Sequence, residues 1–366
     1  MQTLYSSPKQ DGFYYPVEAA PHQGCLLIWP HRGDSWSYGG YAARETFVKI
    51  CEAIAQSEEV TVCAPAAQYD NARLALPDHI RVVELSSDDS WARDTAPIFL
   101  IDGQGRRRGA DFDFNAWGGL YNGCYFPWDL DRHLGRKVCD LYSIDRYDLQ
   151  DFVLEGGSIH SDGEGTLLTT AACLLSPGRN PSLSQQEIEQ KLLDCLGGEK
   201  VLWLPRGIYN DETDEHVDNV AAFVKPGEMV LSWTEEEGDP QSPLCQENWE
   251  YLQAARDAKG RKLKVRKLPL PKPVTVSEEE CRGLDCVDGK PARTPGERLA
   301  ASYANFYLSN KNVIMPAFGD PMDEVAANIL ADCFPERTVI QIPTREILLG
   351  GGNIHCLTQQ IPAGID

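Results

Sequence analysis

The chain has 366 residues, of which 42% are hydrophobic, so it is long and apolar enough to bury a large core. Its formal net charge of −21 argues against nucleic acid as a partner, because phosphate binding requires a basic surface. No apolar run approaches the roughly 18 residues of a membrane-spanning helix, and the N-terminus lacks the basic start and apolar stretch of a secretory signal.

Short apolar strands alternate with amphipathic helices along the chain, which indicates a mixed α/β fold. Capping residues mark two helix starts: Ser184 with Glu187 forms a capping box, and Asp320 precedes Pro321 as an N-cap. In chain order, the predicted elements are a helix at about 41–56, a strand at 98–100, a hairpin of 152–155 with 166–169, a helix at 184–196, a hairpin of 221–224 with 229–231, a helix at about 247–258, a hairpin of 306–308 with 313–315, a helix from 320 and a strand-like stretch at 347–349.

One glycine-rich loop near the C-terminal end is typical of a reactive site. Three glycines at 350–352 precede Cys356, and they leave the backbone open to close approach by a ligand. We therefore predict a nucleophilic thiol at the mouth of a pocket. The alternative interpretation is a buried cysteine after a bend. A papain-like hydrolase is disfavoured, because Cys356 follows the other candidate residues in the chain and its loop opens no recognisable helix.

Two acidic residues stand at the ends of apolar strands. Asp94 follows Trp91 and Arg93 and precedes the strand at 98–100, while Glu155 follows an apolar run and precedes two glycines. Both are candidates for binding or catalysis. The alternatives are a surface ion pair of Arg93 with Asp94, worth about 0–1 kcal/mol, and an edge-strand glutamate that faces water.

A third candidate segment is the acidic run 211–219. If it is a strand, His216 and Asp218 point to the same face and pair an imidazole with a carboxylate. A calcium loop is disfavoured because the EF-hand spacing and its glycine are missing. The alternative is an acidic loop with a passive histidine. The aromatic and glycine-rich stretch 114–119 is either a pocket wall or a structural loop.

The candidate residues recur at a regular interval. Asp94, Glu155 and His216 are each 61 residues apart, and Cys356 follows after about two further periods plus a polar insertion at 276–297. Repeated ββα-like units of this length predict a closed, pseudo-symmetric ring rather than an open parallel sheet.

The combination of residue types indicates a cationic substrate. A cysteine with a histidine suggests covalent catalysis, but several acids around a thiol raise its pKa. The acids make sense if the substrate is a guanidinium, which carboxylates bind through paired N–H donors. Each such charge-assisted bond contributes about 1.5–3 kcal/mol.

With these residues in place, the chain resembles the agmatine deiminase family of the guanidine-modifying superfamily. The resemblance covers nearly the whole chain, in segments 28–30, 91–97, 114–119, 155–168, 211–219, 239–241, 298–303 and 350–360. It implies the pentein fold, a five-bladed pseudo-symmetric α/β propeller of ββαβ-like units around a central active site, as one catalytic domain over 1–366.

The resemblance also implies a role for each candidate residue. The implied roles are Cys356 as nucleophile, His216 as general acid/base, Asp94 and Asp218 as guanidinium ligands, Glu155 as support for His216 and the substrate, Trp91 as a pocket wall, Gly352 as a substrate contact, and Glu212 or Asp214 as the group that receives the amine at the far end of the substrate. No metal or organic cofactor is implied. One departure is Glu215, where the family usually has glycine, and it bears on substrate preference.

Several alternatives remain open. The chain could act on free or peptidyl arginine, with Arg93, Arg179 or Arg345 meeting a carboxylate; it could transfer the amidino group; or it could be a non-catalytic binding protein of pentein type. Scattered cysteines without a Cys-x-x-Cys pair or a zinc spacing indicate free thiols in the cytoplasm. We expect a homo-oligomer that acts on agmatine and binds neither nucleic acid nor membranes.

Overall fold

A computed structural model describes residues 1–287 and 289–364. In chain order, the strands are β1 Thr3–Leu4, β2 Phe13–Tyr14, β3 His22–Ile28, β4 Glu59–Ala64, β5 Arg81–Glu84, β6 Ile98–Asp102, β7 Arg107–Asp113, β8 Arg146–Val153, β9 His160–Ser161, β10 Thr166–Thr170, β11 Lys200–Leu204, β12 Ala221–Lys225, β13 Glu228–Trp233, β14 Lys264–Pro269, β15 Cys286–Val287, β16 Lys290–Pro291, β17 Tyr307–Leu308, β18 Asn312–Ala317, β19 Thr338–Pro343 and β20 Thr358–Pro362.

The helices connect these strands. They are α1 Arg44–Ala55, α2 Tyr69–Ala75, α3 Ala92–Thr95, α4 Gly119–Asn122, α5 Asp129–Arg132, α6 Leu134–Tyr142, α7 Ala171–Leu174, α8 Gln185–Cys195, α9 Gln241–Ala254, α10 Glu278–Arg282, α11 Met322–Cys333, α12 Arg345–Leu349 and α13 Ile354–Leu357, with 3₁₀ turns at Ala66–Gln68, Gly156–Ser158 and Val217–Asn219. None of the helices in the described part of the chain combines the length and apolar character needed to cross a bilayer.

Five of the sheets share one strand pattern, in which an antiparallel pair is followed by a parallel third strand. The five sets are β6–β7–β8, β9–β10–β11, β12–β13–β14, β17–β18–β19 and β20–β3–β4. A parallel neighbour requires a crossover connection, and helices such as α1, α9 and α11 lie in these crossovers. The predicted mixed α/β class is thereby confirmed.

Two of the three predicted hairpins are confirmed and one is wrong. β12 pairs with β13, and β17 pairs with β18, both antiparallel. The prediction that 152–155 pairs with 166–169 is wrong, because β8 lies in another sheet beside β7. The turn at 161–165 is where it was predicted, but the partner of β10 is the two-residue strand β9, since the chain turns at Gly156–Ser158 before it.

The predicted helices are present, but several begin at a residue other than the predicted one. α8 carries the predicted capping box. α1 begins at Arg44, and α9 begins at Gln241, with Pro240 as its N-cap residue. α11 begins one residue later than predicted, with Pro321 instead of Asp320 as the N-cap residue. The Asp320 carboxylate still accepts a hydrogen bond from the Met322 amide.

The apolar run 347–349 is helical, not extended, because it belongs to α12. Its three side chains are fully buried in two apolar clusters. Periodicity cannot distinguish a short buried helix from a short buried strand, which accounts for the error. In the insertion 276–297, α10 and the β15–β16 pair are ordered elements, and position 288 lies outside the described residues.

Candidate active site

Single helical turns position three of the predicted site residues. α3 carries Asp94 just before β6, the 3₁₀ turn Val217–Asn219 carries Asp218 just before β12, and α13 carries Cys356 just before β20. Each turn therefore precedes the first strand of one of the five sheets. Residues 211–219 do not form the strand that would place His216 and Asp218 on one face. The expectation that the cysteine loop opens no helix is wrong, because Cys356 lies in α13.

A cavity of about 590 Å³, part of it open to solvent, lies over these turns. Its lining includes five of the predicted residues, namely Trp91, Asp94, Glu212, Gly352 and Cys356. His216, Glu155 and Asp218 are not among the lining residues and lie fully buried. Trp117, from the predicted pocket wall at 114–119, also lines the cavity.

The Cys356 thiol is held among polar groups. Its Sγ lies 3.5 Å from Oδ2 of Asp218 and accepts a hydrogen bond from Nδ2 of Asn305 at 3.2 Å. Burial, together with the nearby charges of Asp218 and Asp94, raises the pKa of this thiol well above its ordinary value. A cation that neutralises the two acids would therefore favour the thiolate.

Gly352 allows the loop to pass this thiol closely. A Cβ atom at Gly352 would lie 2.6 Å from a ring carbon of Trp91 and 3.1 Å from Sγ of Cys356. Glycine is required there by space, because a side chain would clash with Trp91 and Cys356.

Asp94 is fixed by two donors. Its Oδ1 accepts from the Gly157 amide at 2.8 Å, and its Oδ2 accepts from Nε1 of Trp117 at 2.9 Å. Burial raises its pKa to about 6, although the neighbouring His216 lowers it. This carboxylate therefore lies within reach of a ligand without rotating freely.

His216 lies between two acids with both ring nitrogens available. Nδ1 is 3.9 Å from Asp94 and Nε2 is 3.8 Å from Glu155, and neither nitrogen has a hydrogen-bond partner among the described residues. Burial alone would lower its pKa, but Asp94 and Glu155 outweigh burial and hold the pKa well above the ordinary value. The two acids therefore favour the charged imidazolium, which can give up a proton.

Arg179 balances the charge of Glu155. Its Nε lies 2.7 Å from Oε1 of Glu155, and both side chains are completely buried. Burial would raise the pKa of Glu155, but Arg179 and His216 hold it at about 2. Glu155 is thus an anion that supports the His216 cation.

Gly157 shows how closely these groups converge. A Cβ atom there would lie 2.6 Å from Nδ1 of His216, 2.9 Å from Oδ1 of Asp94 and 3.0 Å from Oδ2 of Asp218. Three side chains from two different turns therefore surround one glycine next to the cavity.

The two candidates for the far end of the substrate differ in position. Glu212 lines the cavity and pairs with Arg293 at 2.6 Å. Asp214 is not a lining residue, and its carboxylate accepts bonds from Asn122, Ser176 and Arg179 at 2.9 Å each.

Glu215 points away from the cavity. Its carboxylate contacts Arg206 at 2.6 and 3.1 Å and the Gly207 amide. Its φ of +69° lies in the left-handed region, which glycine adopts most easily. Glycine would therefore fit this backbone conformation, and Glu215 is not among the residues that line the cavity.

Among the described residues, two buried clusters have metal-ligand chemistry, Glu18 with His160 and His355, and Glu155 with Cys173 and His216. In each, the carboxylate already faces an arginine, since Glu18 lies 3.9 Å from Arg93 and Glu155 lies 2.7 Å from Arg179. A metal ion would have to compete with those guanidinium groups, so both clusters favour ion pairing over metal binding.

Sequence reasoning missed several residues of this site. Asn305 precedes β17, just as the other site turns precede the first strands of their sheets, but it departs from the 61-residue spacing because of the insertion at 276–297. His355 stands next to Cys356 but was not predicted as a site residue. Nothing in the sequence around Arg293 indicates a site residue, since its place in the cavity depends on tertiary contacts alone.

Known proteins resemble this chain over nearly its whole length. The sequence profile of the Porphyromonas-type peptidyl-arginine deiminase family matches residues 14–362. Agmatine deiminase of Pseudomonas aeruginosa (strain LESB58) is 54% identical over 364 residues, and that of Ectopseudomonas mendocina (strain ymp) is 52% identical, each with 99% of both chains covered. A solved structure of the agmatine deiminase of Enterococcus faecalis superimposes with a TM-score of 0.97 at 45% identity over 100% of both chains.

The chain therefore belongs to the Porphyromonas-type peptidyl-arginine deiminase family. Within that family its similar full-length relatives carry the name agmatine deiminase. The predicted resemblance is confirmed.

Proposed function

We propose that this protein hydrolyses agmatine to N-carbamoylputrescine and ammonia through a covalent intermediate on Cys356. The observation that carries this proposal is a buried thiol flanked by Asp94 and Asp218, with the uncommitted imidazole of His216 beside them. The relatives named agmatine deiminase support the choice of substrate.

The cavity favours a cation. Four carboxylates line it, Asp34, Asp89, Asp94 and Glu212, against the single guanidinium of Arg293 among the described lining residues. A flat guanidinium between Asp94 and Asp218 would form paired charge-assisted bonds. Trp91 and Trp117 supply walls on which such a group can stack.

Binding of the cation starts the reaction. Once Asp94 and Asp218 are neutralised, the Cys356 thiol releases its proton to solvent, and the thiolate attacks the guanidinium carbon to give a tetrahedral intermediate. His216 donates its proton to one nitrogen, the carbon–nitrogen bond breaks and ammonia leaves. The remaining adduct is a thiouronium in which the substrate carbon is bonded to Sγ.

Water completes the turnover. His216, now neutral, takes a proton from water, and the oxygen attacks the thiouronium carbon. The carbon–sulfur bond then breaks and returns the thiolate, the hydroxyl proton passes to solvent, and the ureido product leaves. Fixed positions of Cys356 and His216 supply proximity for both halves of the reaction.

For the far amine of the substrate, Glu212 is the better of the two candidates because it faces the cavity. Asp214 acts indirectly, since it forms an ion pair with Arg179, which also pairs with Glu155. Asp214 is thus assigned to the support of the site.

Free arginine as the substrate requires a cation that meets its carboxylate. Arg93 faces Glu18, Arg179 faces Glu155 and Asp214, and Arg345 faces Glu280. Arg293 in the cavity is neutralised by Glu212 and Glu297. The described cations near the site are therefore committed to acids, which favours agmatine over arginine.

At the level of the whole chain, we assign the five sheets to the blades of a closed pentein propeller in one domain over 1–366. The shared strand pattern and the placement of site residues before the first strands support this assignment. We also propose a cytoplasmic location, because the cysteines are scattered and free. A homo-oligomeric state is proposed because enzymes of this kind are often dimers or larger.

Ammonia release tests the proposed function. The purified protein is supplied with agmatine, free arginine or a blocked arginyl peptide, and Cys356→Ser is the control. We expect turnover of agmatine alone, abolished by the substitution. Preference for arginine or the peptide contradicts the assignment of the substrate, product formation only with an added amine acceptor indicates amidino transfer, and inactivity toward all three contradicts the proposed hydrolysis.

A further inference from the structure

A buried row of alternating charges runs beneath the catalytic cysteine. Arg93 lies 3.9 Å from Glu18, Glu18 lies 2.8 Å from Nε2 of His355, and Nδ1 of His355 lies 2.8 Å from Oδ2 of Asp218. Each of these four side chains is less than one-tenth exposed. The row ends 3.5 Å from Sγ of Cys356.

The proton count of this row follows from its geometry. A carboxylate only accepts hydrogen bonds, and a neutral imidazole has one N–H. His355 makes two 2.8 Å contacts to carboxylate oxygens, so both ring nitrogens must carry a proton if both acids are ionised. Glu18 is ionised because it faces Arg93 and accepts from the Leu308 amide at 3.2 Å.

Resting on the proposed function, we propose that His355 is a positioning residue for guanidinium binding. As a doubly protonated imidazolium, it anchors Oδ2 of Asp218 against Glu18 and leaves Oδ1 to the substrate.

The state of Asp218 agrees with this role. Its Oδ1 is buried and has no hydrogen-bond partner among the described residues, whereas Oδ2 is occupied by His355. An unpartnered buried carboxylate oxygen is costly, so the site is incomplete until a donor arrives. The substrate N–H supplies that donor.

The neighbouring charges favour the imidazolium. Burial and Arg93 lower the pKa of His355, but Glu18 and Asp218 outweigh them and the pKa is raised. Burial would raise the pKa of Asp218, yet the His355 bond keeps it below the ordinary value. The nearby His160 behaves oppositely, since burial lowers its pKa to about 4 and it stays neutral.

His160 is therefore a matched control. It is as buried as His355, its ring stacks on that of His355 at 5.9 Å, and it lies 3.8 Å from Glu18. Its described contacts do not include Asp218. Replacing either histidine disturbs the same cluster, but only His355 touches the guanidinium ligand.

The first test reads the protonation state without substrate. Nitrogen NMR of histidine-labelled protein at pH 8, with the His355 signals assigned through His355→Gln, should show two protonated ring nitrogens. An unperturbed histidine is neutral at that pH. One unprotonated His355 nitrogen at pH 8 would overturn the proposal, whatever the substrate of the enzyme is.

The second test measures agmatine binding by calorimetry in a Cys356→Ser background. Asn places its amide near the Nδ1 position and can still donate to Asp218, whereas Gln reaches toward Glu18 and leaves Asp218 unanchored. We expect His355→Gln to raise the Kd about 10- to 100-fold, the loss of one charge-assisted bond, and His355→Asn to raise it less. His160→Gln should change the Kd by less than about threefold.

Thermal melting of each variant checks that it is folded. Equal losses of affinity in His355→Gln and His160→Gln, or a loss in His355→Asn as large as that in His355→Gln, would overturn the positioning role. The Cys356→Ser variant with intact His355 could bind no agmatine while the NMR shows the imidazolium. In that case agmatine is not the substrate, and Oδ1 of Asp218 does not bind its guanidinium.

Discussion

The Cys356 thiol lies in a field that opposes its own ionisation. Asp218 is 3.5 Å away and Asp94 is close by, and together with burial they raise the pKa of the thiol. In the proposed mechanism, this arrangement withholds the reactive thiolate until a cation binds. Reactivity is thereby tied to the presence of the substrate.

Asp218→Asn should therefore make the free enzyme's thiol more acidic and the enzyme less active. Removing the anion favours the thiolate, so the pKa of Cys356 in the free enzyme falls by at least about one pH unit. The lost guanidinium ligand lowers kcat/KM for agmatine about 100-fold or more. The pH dependence of iodoacetamide alkylation reports the pKa, and an unchanged or raised pKa would contradict the electrostatic account.

Asn305→Ala should shift the same pKa in the opposite direction. Nδ2 of Asn305 donates to Sγ at 3.2 Å, and its amide is oriented by the His355 amide at 3.0 Å. Loss of this donor disfavours the thiolate and raises the thiol pKa by about one pH unit. The alkylation profile of the wild type is the reference, and a profile that moves toward lower pH would show that Asn305 does not stabilise the thiolate.

Residue types and spacing sufficed to predict Cys356, His216, Glu155, Asp94 and Asp218, and the structure brings these five together. Their roles remain proposals. The partners of the buried charges were not predictable, because pairs such as Arg179 with Glu155 and Glu18 with His355 join distant parts of the chain. Glu18 in particular stands in an unremarkable N-terminal segment and acquires its place only through tertiary contacts.

At the scale of elements, short turns rather than long helices or strands position the site. The turn Gly156–Ser158 brings the Gly157 amide to Asp94 at 2.8 Å and also leaves room for His216. The sequence pattern of an acid before two glycines singled out Glu155, the residue that directly precedes this turn. The exact helical character of the turns around Asp218 and Cys356 was missed, because single turns lack a periodic signal.

Gly157→Ala should abolish activity while the protein stays folded. The added methyl group would press on His216 and on both guanidinium ligands, with distances of 2.6–3.0 Å. We expect kcat/KM for agmatine to fall about 1000-fold, since small misplacements of reacting groups are expensive, with little change in the far-ultraviolet circular dichroism.

Gly103→Ala is the matched control for this substitution. A Cβ atom there meets no atom within 4 Å, and Gly103 has no positive φ. It should leave kcat/KM within about twofold of the wild type. Comparable activity of the two alanine variants would show that the turn does not set the geometry of the site.

At the scale of the molecule, the fold class and the repeat were accessible from sequence, whereas sheet membership was not. The 61-residue spacing reflects units in which one site residue precedes the first strand of a sheet. The pairing of β8 with β7, instead of β10, escaped prediction because a two-residue strand such as β9 leaves almost no trace in hydrophobic patterning.

The net charge of −21 should steer the cationic substrate. Raising the ionic strength from about 0.01 M to 0.15 M shortens the Debye length from roughly 30 to 8 Å, so we expect kcat/KM for agmatine to fall severalfold. kcat at saturating substrate should change little. A kcat/KM that is independent of salt would limit the role of the acidic surface to solubility.

The central claim is that agmatine becomes covalently attached to Cys356, and acid quenching followed by peptide mass spectrometry tests it most directly. During turnover, we expect the peptide that contains Cys356 to gain the mass of agmatine minus ammonia. The adduct should be absent in Cys356→Ser. Turnover without any adduct on Cys356, or an adduct on another cysteine, would contradict the account.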